Sequence, residues 1–335
     1  PFSTTSRKHN GPETVMRINK HGLLAYIGRR LASTIPVMLI VALFVFSLLY
    51  IAPGDPAVII AGDQATPENI EKIRATLGLE RPFVVRFGEW LWAVMQGDLG
   101  TSIFTNQPVT QLIAQRVEPT LSLMVVTLLL VLTIAVPMGV LAAWKAGKWV
   151  DRVVMVVAVL GFSVPVFVVG YLLAYCFSVQ LNWLPVQGYT PLSEGIWPWF
   201  RSLILPSASL GFVYMALIAR ITRTAMLEVL TQDYVKTARS KGLGEPKVLF
   251  VHALKNASVP IITVVGIGVA LLIGGAVVTE SVFVLPGIGR LTVDAIMQRD
   301  YAVIQGVVLV FSLAYVLINL GIDVLYTLVD PRIRY

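Results

Sequence analysis

Residues 153–193 read VVMVVAVLGFSVPVFVVGYLLAYCFSVQLNWLPVQGYTPLS, 41 residues without a charged side chain. How often this stretch crosses a bilayer decides the topology of the whole chain. A bilayer core of about 30 Å needs about 20 helical residues at 1.5 Å each, so length alone allows one crossing or two. Composition divides the stretch. Apolar residues run to Val179, and the polar Gln180 and Asn182 follow. Trp183-Leu184-Pro185 then supplies an aromatic and a helix stop of the kind found at a membrane interface, and Trp197-Pro198-Trp199 is a second such cluster. One span over 153–179 is therefore expected, kinked at Gly161 and Pro165 as helices in a bundle tolerate.

Working outward, five more windows lack charge: 31–54, 119–144, 202–219, 256–279 and 301–322. Each is 18 to 26 residues long, enough for one span. The rest of the composition agrees. Of 335 residues, 56% are hydrophobic and 13% charged, with mean hydropathy +0.77. A soluble domain carries about 25% charged residues, so too few polar side chains remain to cover a water-facing surface. Disorder is excluded on the same ground, and a disulfide-built scaffold because Cys176 is the only cysteine.

Charge fixes the orientation. Two basic loops, 145–152 and 220–255, flank the long window, and two spans between them place both on one side. The result is an all-α membrane protein of six transmembrane helices with both termini cytoplasmic. Its spans are expected at about 31–53, 119–144, 153–179, 202–222, 256–279 and 301–323, with a cytoplasmic segment 1–30 and an exterior segment 54–118. The inner segments hold 18 basic and 7 acidic residues, the outer ones 8 and 12. The net +7 thus splits into +11 inside and −4 outside, which reads as topology rather than nucleic-acid binding.

Residues 1–15 are polar and read as a tail of no structural weight, with Met16 opening a basic lead-in to the first span. That span has no small-residue cleavage site and reads as an anchor, not a signal peptide. Outside, Thr66-Pro67 starts a helix with Ile70, Ile73 and Leu77 on one face, ended by Gly78. Phe83, Phe87, Trp90, Leu91 and Val94 mark a second amphipathic helix closed by Gly97, expected to lie on the membrane or cap the bundle.

The loop 220–255 holds seven basic residues and the pattern of two short helices. Asp233 is placed to cap the first. Tyr234, Thr237, Ala238 and Lys241 form one stripe at i, i+3, i+4, i+7, with the small Ala238 allowing close approach of another surface. Gly242 sits where a left-handed C-terminal residue belongs, and Leu243 follows it. Glu245-Pro246 starts the second helix, with Val248, Leu249 and Val251 apolar and His252 after them. A helix-turn-helix at the membrane surface suits docking to another protein, and an ordinary solvated loop is the competing reading.

The run from Asp233 to Leu243, with His252-Ala253-Leu254-Lys255-Asn256-Ala257 and Pro260, resembles the EAA loop of permease subunits of binding-protein-dependent ABC importers. The Glu-Ala-Ala positions read Lys236-Thr237-Ala238, as in the dipeptide/oligopeptide branch. Other stretches resemble the same branch: Ile51-Ala52-Pro53-Gly54-Asp55-Pro56-Ala57, Leu77-Gly78-Leu79-Glu80-Arg81-Pro82, Gly97-Asp98-Leu99-Gly100-Thr101-Ser102, Thr279-Glu280-Ser281-Val282-Phe283, Pro286-Gly287-Ile288-Gly289-Arg290-Leu291, Arg299-Asp300-Tyr301 and Asp330-Pro331-Arg332-Ile333-Arg334-Tyr335. One departure is Val284-Leu285, where the family often has Ser-Trp.

The resemblance implies a type I ABC importer permease in the bacterial inner membrane. It implies a second homologous permease subunit, two ABC ATPase subunits and an extracytoplasmic substrate-binding protein as partners. Asp233, Tyr234, Thr237, Ala238, Lys241, Gly242, Leu243 and His252 would form the ATPase-coupling loop. The chain has no G-x-x-x-x-G-K-[ST] phosphate loop, so it is not expected to be an enzyme or to bind a cofactor, and ATP and Mg would sit on the ATPases. Peptide cargo is implied by the branch, with nickel chelates, glutathione and oligosaccharides as alternatives.

An ion-coupled secondary transporter would place acidic residues inside the bilayer, and the six windows have none. Glu280, with Pro286 and Gly287 beside it, reads as part of an outer gate or as an interface charge. Ser163, Gln305 and Asn319 are polar groups inside spans, suited to a transport path or to interhelical hydrogen bonds. His9, His21 and His252 all lie outside the spans and far apart in sequence, which gives no metal site.

Overall fold

In a computed structural model, the described residues are 20–51, 56–61, 66–76 and 80–329. The tail 1–15, Gly78 and the closing Asp330–Tyr335 motif lie outside them. The described residues contain no β-strand, only an isolated bridge between Thr101 and Pro108. The long helices are α1 (Lys20–Ile51), α5 (Val109–Trp144), α8 (Ile196–Leu230), α11 (Leu254–Val282) and α13 (Tyr301–Val329). Short ones are α2 (Pro56–Ala61), α3 (Pro67–Thr76), α4 (Phe83–Met95), α9 (Asp233–Ser240), α10 (Glu245–Lys247) and α12 (Ile288–Gln298). The long 153–193 stretch becomes α6 (Trp149–Ser163) and α7 (Val166–Leu173), the latter continued by a π-helical turn over Ala174–Gln180.

Among the described residues, five helices are long and apolar enough to cross a membrane, or six if the bent α6–α7 pair is one span. The pair is bent by 108°, much more than a kink. Val164 is extended (φ −99, ψ 124), as the residue before a proline prefers, and Pro165 has no N–H with which to continue the ladder. The pair nevertheless travels along α8 instead of doubling back. Asp151 is paired with Arg223, Gly161 lies against Ala216, and Gly170 lies against Ser209. These partners step monotonically along α8. The bent pair therefore runs antiparallel to α8 along its length.

The helices run further than the charge-free windows. α5 begins at Val109, so Arg116 and Glu118 ride on its first turns. Charge marks where a span leaves the hydrocarbon, not where the backbone stops being helical.

Two helices form the centre. α5 and α8 carry the most buried positions, including Leu123, Val126, Leu203 and Leu210. Gly139 brings α5 against Ala219 and Thr222, where a Cβ would lie 2.6 Å from both. α11 closes the core through Leu272 and Ala276, and α1 packs on the outside along α13. α4 docks by its aromatic face: Phe83, Phe87 and Trp90 surround Phe46 of α1 at centroid distances of 5.2–5.5 Å, and Arg86 lies over Phe46 and Tyr50. Its other side leaves Val84, Trp92 and Met95 exposed. The helix therefore caps α1 and keeps a second apolar face turned outward.

Candidate functional site

The conspicuous motifs gather at two opposite ends of the bundle. At one end, α9 sits on the last turn of α8 and the first turns of the helix that becomes α11. Val235, Ala238 and Val248 form its buried contact, with Val229, Leu230 and Leu243 packed against them. Two expectations for α9 are corrected here. Asp233 does not cap it. Gln232 occupies the cap position without a side-chain bond, and Asp233, one residue inside, pairs with Lys236 at 2.9 Å. Its charge still favours the positive helix end. Ala238 does not share the exposure of the other three stripe residues. It faces Val235 and Val248 inside the chain, so the outward residues are Tyr234, Thr237 and Lys241.

α9 ends in a Schellman motif. The Leu243 N–H donates to the Ala238 carbonyl at 3.3 Å and the Gly242 N–H to Arg239 at 2.9 Å, with Gly242 at φ +78. A Cβ on Gly242 would meet nothing within 4 Å. Glycine is required there by backbone conformation, and the position opens outward. Arg239 grips Glu245 with two bonds, 2.9 and 3.2 Å, across the turn.

The second short helix is not separate. From Glu245 to Val282 the chain forms one 38-residue helix, interrupted only by a π-helical turn over Val248–Ala253. Leu249 and Ala253 are buried against Val140, Ala143, Ala225 and Met226. His252 lies in the π turn with its Nε2 buried and without a hydrogen-bond partner. Its backbone carbonyl accepts from Asn256, whose Nδ2 also donates to the Tyr234 hydroxyl at 2.8 Å and so ties α9 to α11. Nearby, Arg223 of α8 holds Asp151 with paired bonds, and Asp151 Oδ2 accepts from the Gly147 N–H at 2.9 Å. Sequence reasoning missed this pair. Its signal was an acidic residue alone in a basic loop.

At the other end, Glu280 is fully buried. Its Oε1 accepts from the Thr120 hydroxyl of α5 at 2.6 Å, and its Oε2 accepts from the Arg290 N–H of α12 at 3.0 Å. Thr120 in turn accepts from the Ile288 N–H at 2.9 Å. A carboxylate from α11 and a hydroxyl from α5 therefore cap α12 together, satisfying N–H groups that a helix start leaves free. Gly287 is brought against Glu280: a Cβ there would lie 2.2 Å from the carboxyl carbon. Pro286 precedes it on the exposed turn. Beside this knot, the Ser102 hydroxyl donates to Asp300 Oδ2 at 2.5 Å, both residues being buried. A third tie uses Glu118, whose Oε1 accepts from the Tyr189 hydroxyl and the Leu192 N–H. Burial pushes the Tyr189 phenol above its ordinary value.

The three path candidates are not brought together. Ser163 and Asn319 each donate to a carbonyl one turn back on their own helices, and Gln305, buried on α13, donates to Val45 of α1 at 3.5 Å. Among the described residues, no three His, Cys, Asp or Glu side chains gather as a metal group.

This is a multi-pass helical membrane protein with a docked surface helix at one end and a buried carboxylate knot at the other. The chain belongs to the family of binding-protein-dependent transport system inner membrane components. The model of that family matches residues 135–335, and the model of its N-terminal part matches residues 23–124. A probable peptide ABC transporter permease protein of Sinorhizobium fredii is 56% identical over 310 residues, covering 92% of this chain and 99% of that one. A putative peptide transport system permease protein of Brucella abortus is 48% identical, covering 93% and 100%. The glutathione transport system permease protein GsiC of Salmonella choleraesuis is 44% identical with the same coverage. Among solved structures, a chain of the MetNI methionine ABC transporter in an inward-facing conformation shares the fold. Its TM-score is 0.55 at 18% identity, covering 66% of this chain and 97% of that one. The protein is thus an inner-membrane permease of an ABC importer with the type I permease fold.

Proposed function

We propose that the chain is one half of a peptide-conducting channel. It pairs with a second homologous permease, sits on two ABC ATPases that bind ATP and Mg, receives cargo from an extracytoplasmic binding protein, and catalyses no covalent step itself. The α9 end is cytoplasmic, with both termini on that side, as the basic loops there favour. The observation that carries the coupling role is how α9 is mounted. It is buried by Val235 and Ala238 against the end of α8 and the start of the helix continuing into α11. A push on its exposed residues Tyr234, Thr237 and Lys241 acts on two central helices at once. His252 and Leu243 support the mount from beneath. Alternating access then follows as rocking of these helices, with Glu280, Pro286 and Gly287 holding the outer closure and Ser163, Gln305 and Asn319 offering polar groups within the spans.

Peptide cargo rests on the names of the relatives. Glutathione, itself a small peptide, is the second reading, favoured by the 44% identity to a glutathione permease.

Gly242 tests the coupling. Gly242→Asn keeps a residue that tolerates the left-handed conformation and should leave ATP-driven uptake near the parent level. Gly242→Trp adds backbone strain of about 1–2 kcal/mol and a bulky group on the outward face. It should leave insertion and subunit assembly intact but lower uptake per ATP hydrolysed by about tenfold or more, a loss of roughly 1.4 kcal/mol in coupling. Normal uptake by Gly242→Trp would remove α9 from the coupling role.

A further inference from the structure

A cavity of about 480 Å³ opens at the Glu280 end of the bundle, between the loop that follows the π-helical turn of α7 and the first turns of α8. Small-molecule sites occupy roughly 300–1,000 Å³, so its size suits one. Leu184, Pro185, Trp197 and Pro198 supply apolar walls, and Gln187, Thr190 and Arg201 supply polar ones. Loops are ordinarily the mobile part of a fold, but this one is pinned along its length. The Ser178 hydroxyl donates to the Pro185 carbonyl at 3.2 Å, the Gly188 N–H to the Phe283 carbonyl at 3.0 Å, and the Thr190 N–H to the Ser202 hydroxyl at 3.4 Å. The cavity is therefore preformed. Arg201 is also held. Its Nη2 donates to the Trp183 carbonyl at 2.8 Å, which leaves most of the five N–H donors of a guanidinium unused. Among the described residues no carboxylate pairs with Arg201, and the Gln187 amide and Thr190 hydroxyl make no hydrogen bond. Beside them the Trp197 ring, steadied by Phe200 at a centroid distance of 6.4 Å, is 66% exposed.

We propose that this cavity is an extracytoplasmic subsite for the terminal carboxylate of a short peptide. The carboxylate meets the free edge of the Arg201 guanidinium, whose planar fork matches its two oxygens. The last side chain of the peptide lies on Trp197, and Gln187 and Thr190 bond its backbone. A fixed cation without an anion selects a negative group, and the apolar walls beside it select an organic acid over a hydrated inorganic ion. One acidic side chain of a docking protein would fill only a corner of this volume. Through Gly188 the loop is tied to Phe283, three residues beyond Glu280, so a peptide seated here lies against the proposed outer closure. The assignment rests on the peptide reading and on this end being extracytoplasmic.

The test uses the assembled transporter in lipid nanodiscs without its binding protein. It is titrated with alanyl-phenylalanine and with the C-terminal carboxamide of the same dipeptide, and binding is read by ligand-observed NMR. The parent should bind the free acid about tenfold more tightly than the amide, the worth of one charge-assisted contact. R201Q should bind both at the amide's level, and R201K, a point charge without the fork, should keep part of the preference. Q187W fills the cavity while leaving Arg201 and the loop ties in place. It should bind neither ligand, and it carries the test if R201Q fails to assemble. The proposal is overturned by a parent that binds no free acid at millimolar concentration, by equal affinity of parent and R201Q, or by undiminished binding to Q187W. It is also overturned if the parent binds no peptide and the variants weaken capture of the binding protein, which would make the cavity a docking pocket. Uptake is read separately. A parent that binds the acid but imports no peptide removes the peptide reading and leaves the subsite, whereas one that imports peptide without binding it here removes the subsite alone.

Discussion

Glu280 is a carboxylate whose acceptors are used by two other helices: a hydroxyl from α5 and backbone N–H groups at the start of α12. Such a group is costly to bury and costly to disturb. Gly287→Ala would drive a methyl group into its carboxyl carbon and should destabilise the subunit by about 1–3 kcal/mol, the usual range for overpacking, measurable as a fall in thermal unfolding temperature in detergent. Val284 offers the opposite case. It ends α11 in the left-handed region at φ +54, where the Leu285 N–H closes a Schellman bond to the Glu280 carbonyl at 2.9 Å. A β-branched residue is strained there. Val284→Asn should raise stability by about 1 kcal/mol, and an unchanged or lower unfolding temperature would contradict that account. Glu280 stood out in the sequence as a charge at the edge of a span, but its role did not. Thr120 is 160 residues away, and no local pattern points to it.

At the scale of elements, the latch between α6 and α8 is the most exposed to test. Asp151 is buried and Arg223 mostly so, and removing one partner strands the other. Asp151→Ala should cost about 3 kcal/mol, and in the Asp151→Ala/Arg223→Met double variant part of that loss should return. An additive double-mutant cycle would show that the pair is not coupled. The same scale shows what sequence periodicity can and cannot give. The α9 pattern located the helix, and Gly242 located its end. That Ala238 alone of the stripe is buried was not legible, because the surface that approaches it, Val248, is contributed by the next helix. The π turn over Val248–Ala253 has no signature in residue type, so the continuity of α10 with α11 was not visible.

For the whole molecule, the fold class was legible because the bilayer imposes one rule on length and charge everywhere in the chain. The break in the third span was announced by Pro165, but its 108° angle depends on packing against α8. Function at this scale is set by the energy source. In vesicles containing the assembled transporter, collapse of the proton gradient should spare uptake and ATP depletion should abolish it. Uptake that survives ATP depletion but fails with the gradient would mark an ion-coupled carrier instead.

The ties differ in how far they reach along the chain, and the end that holds Glu280 has both kinds, since Glu118 meets Tyr189 only 71 residues on. Asp151 and Arg223 are 72 residues apart, whereas Thr120 waits for Glu280 across 160 and Ser102 for Asp300 across 198. At a synthesis rate of about 5–20 residues per second, the last wait is roughly 10–40 s. The nascent protein therefore enters the membrane with the α6–α8 latch able to close early. The carboxylate knot is still open at that stage, its first-made halves unpaired until the final two helices arrive. The short ties, at both ends of the bundle, can form before the long ones. Ribosome stalling between residues 223 and 280 would leave a half-closed intermediate, a natural substrate for membrane quality control.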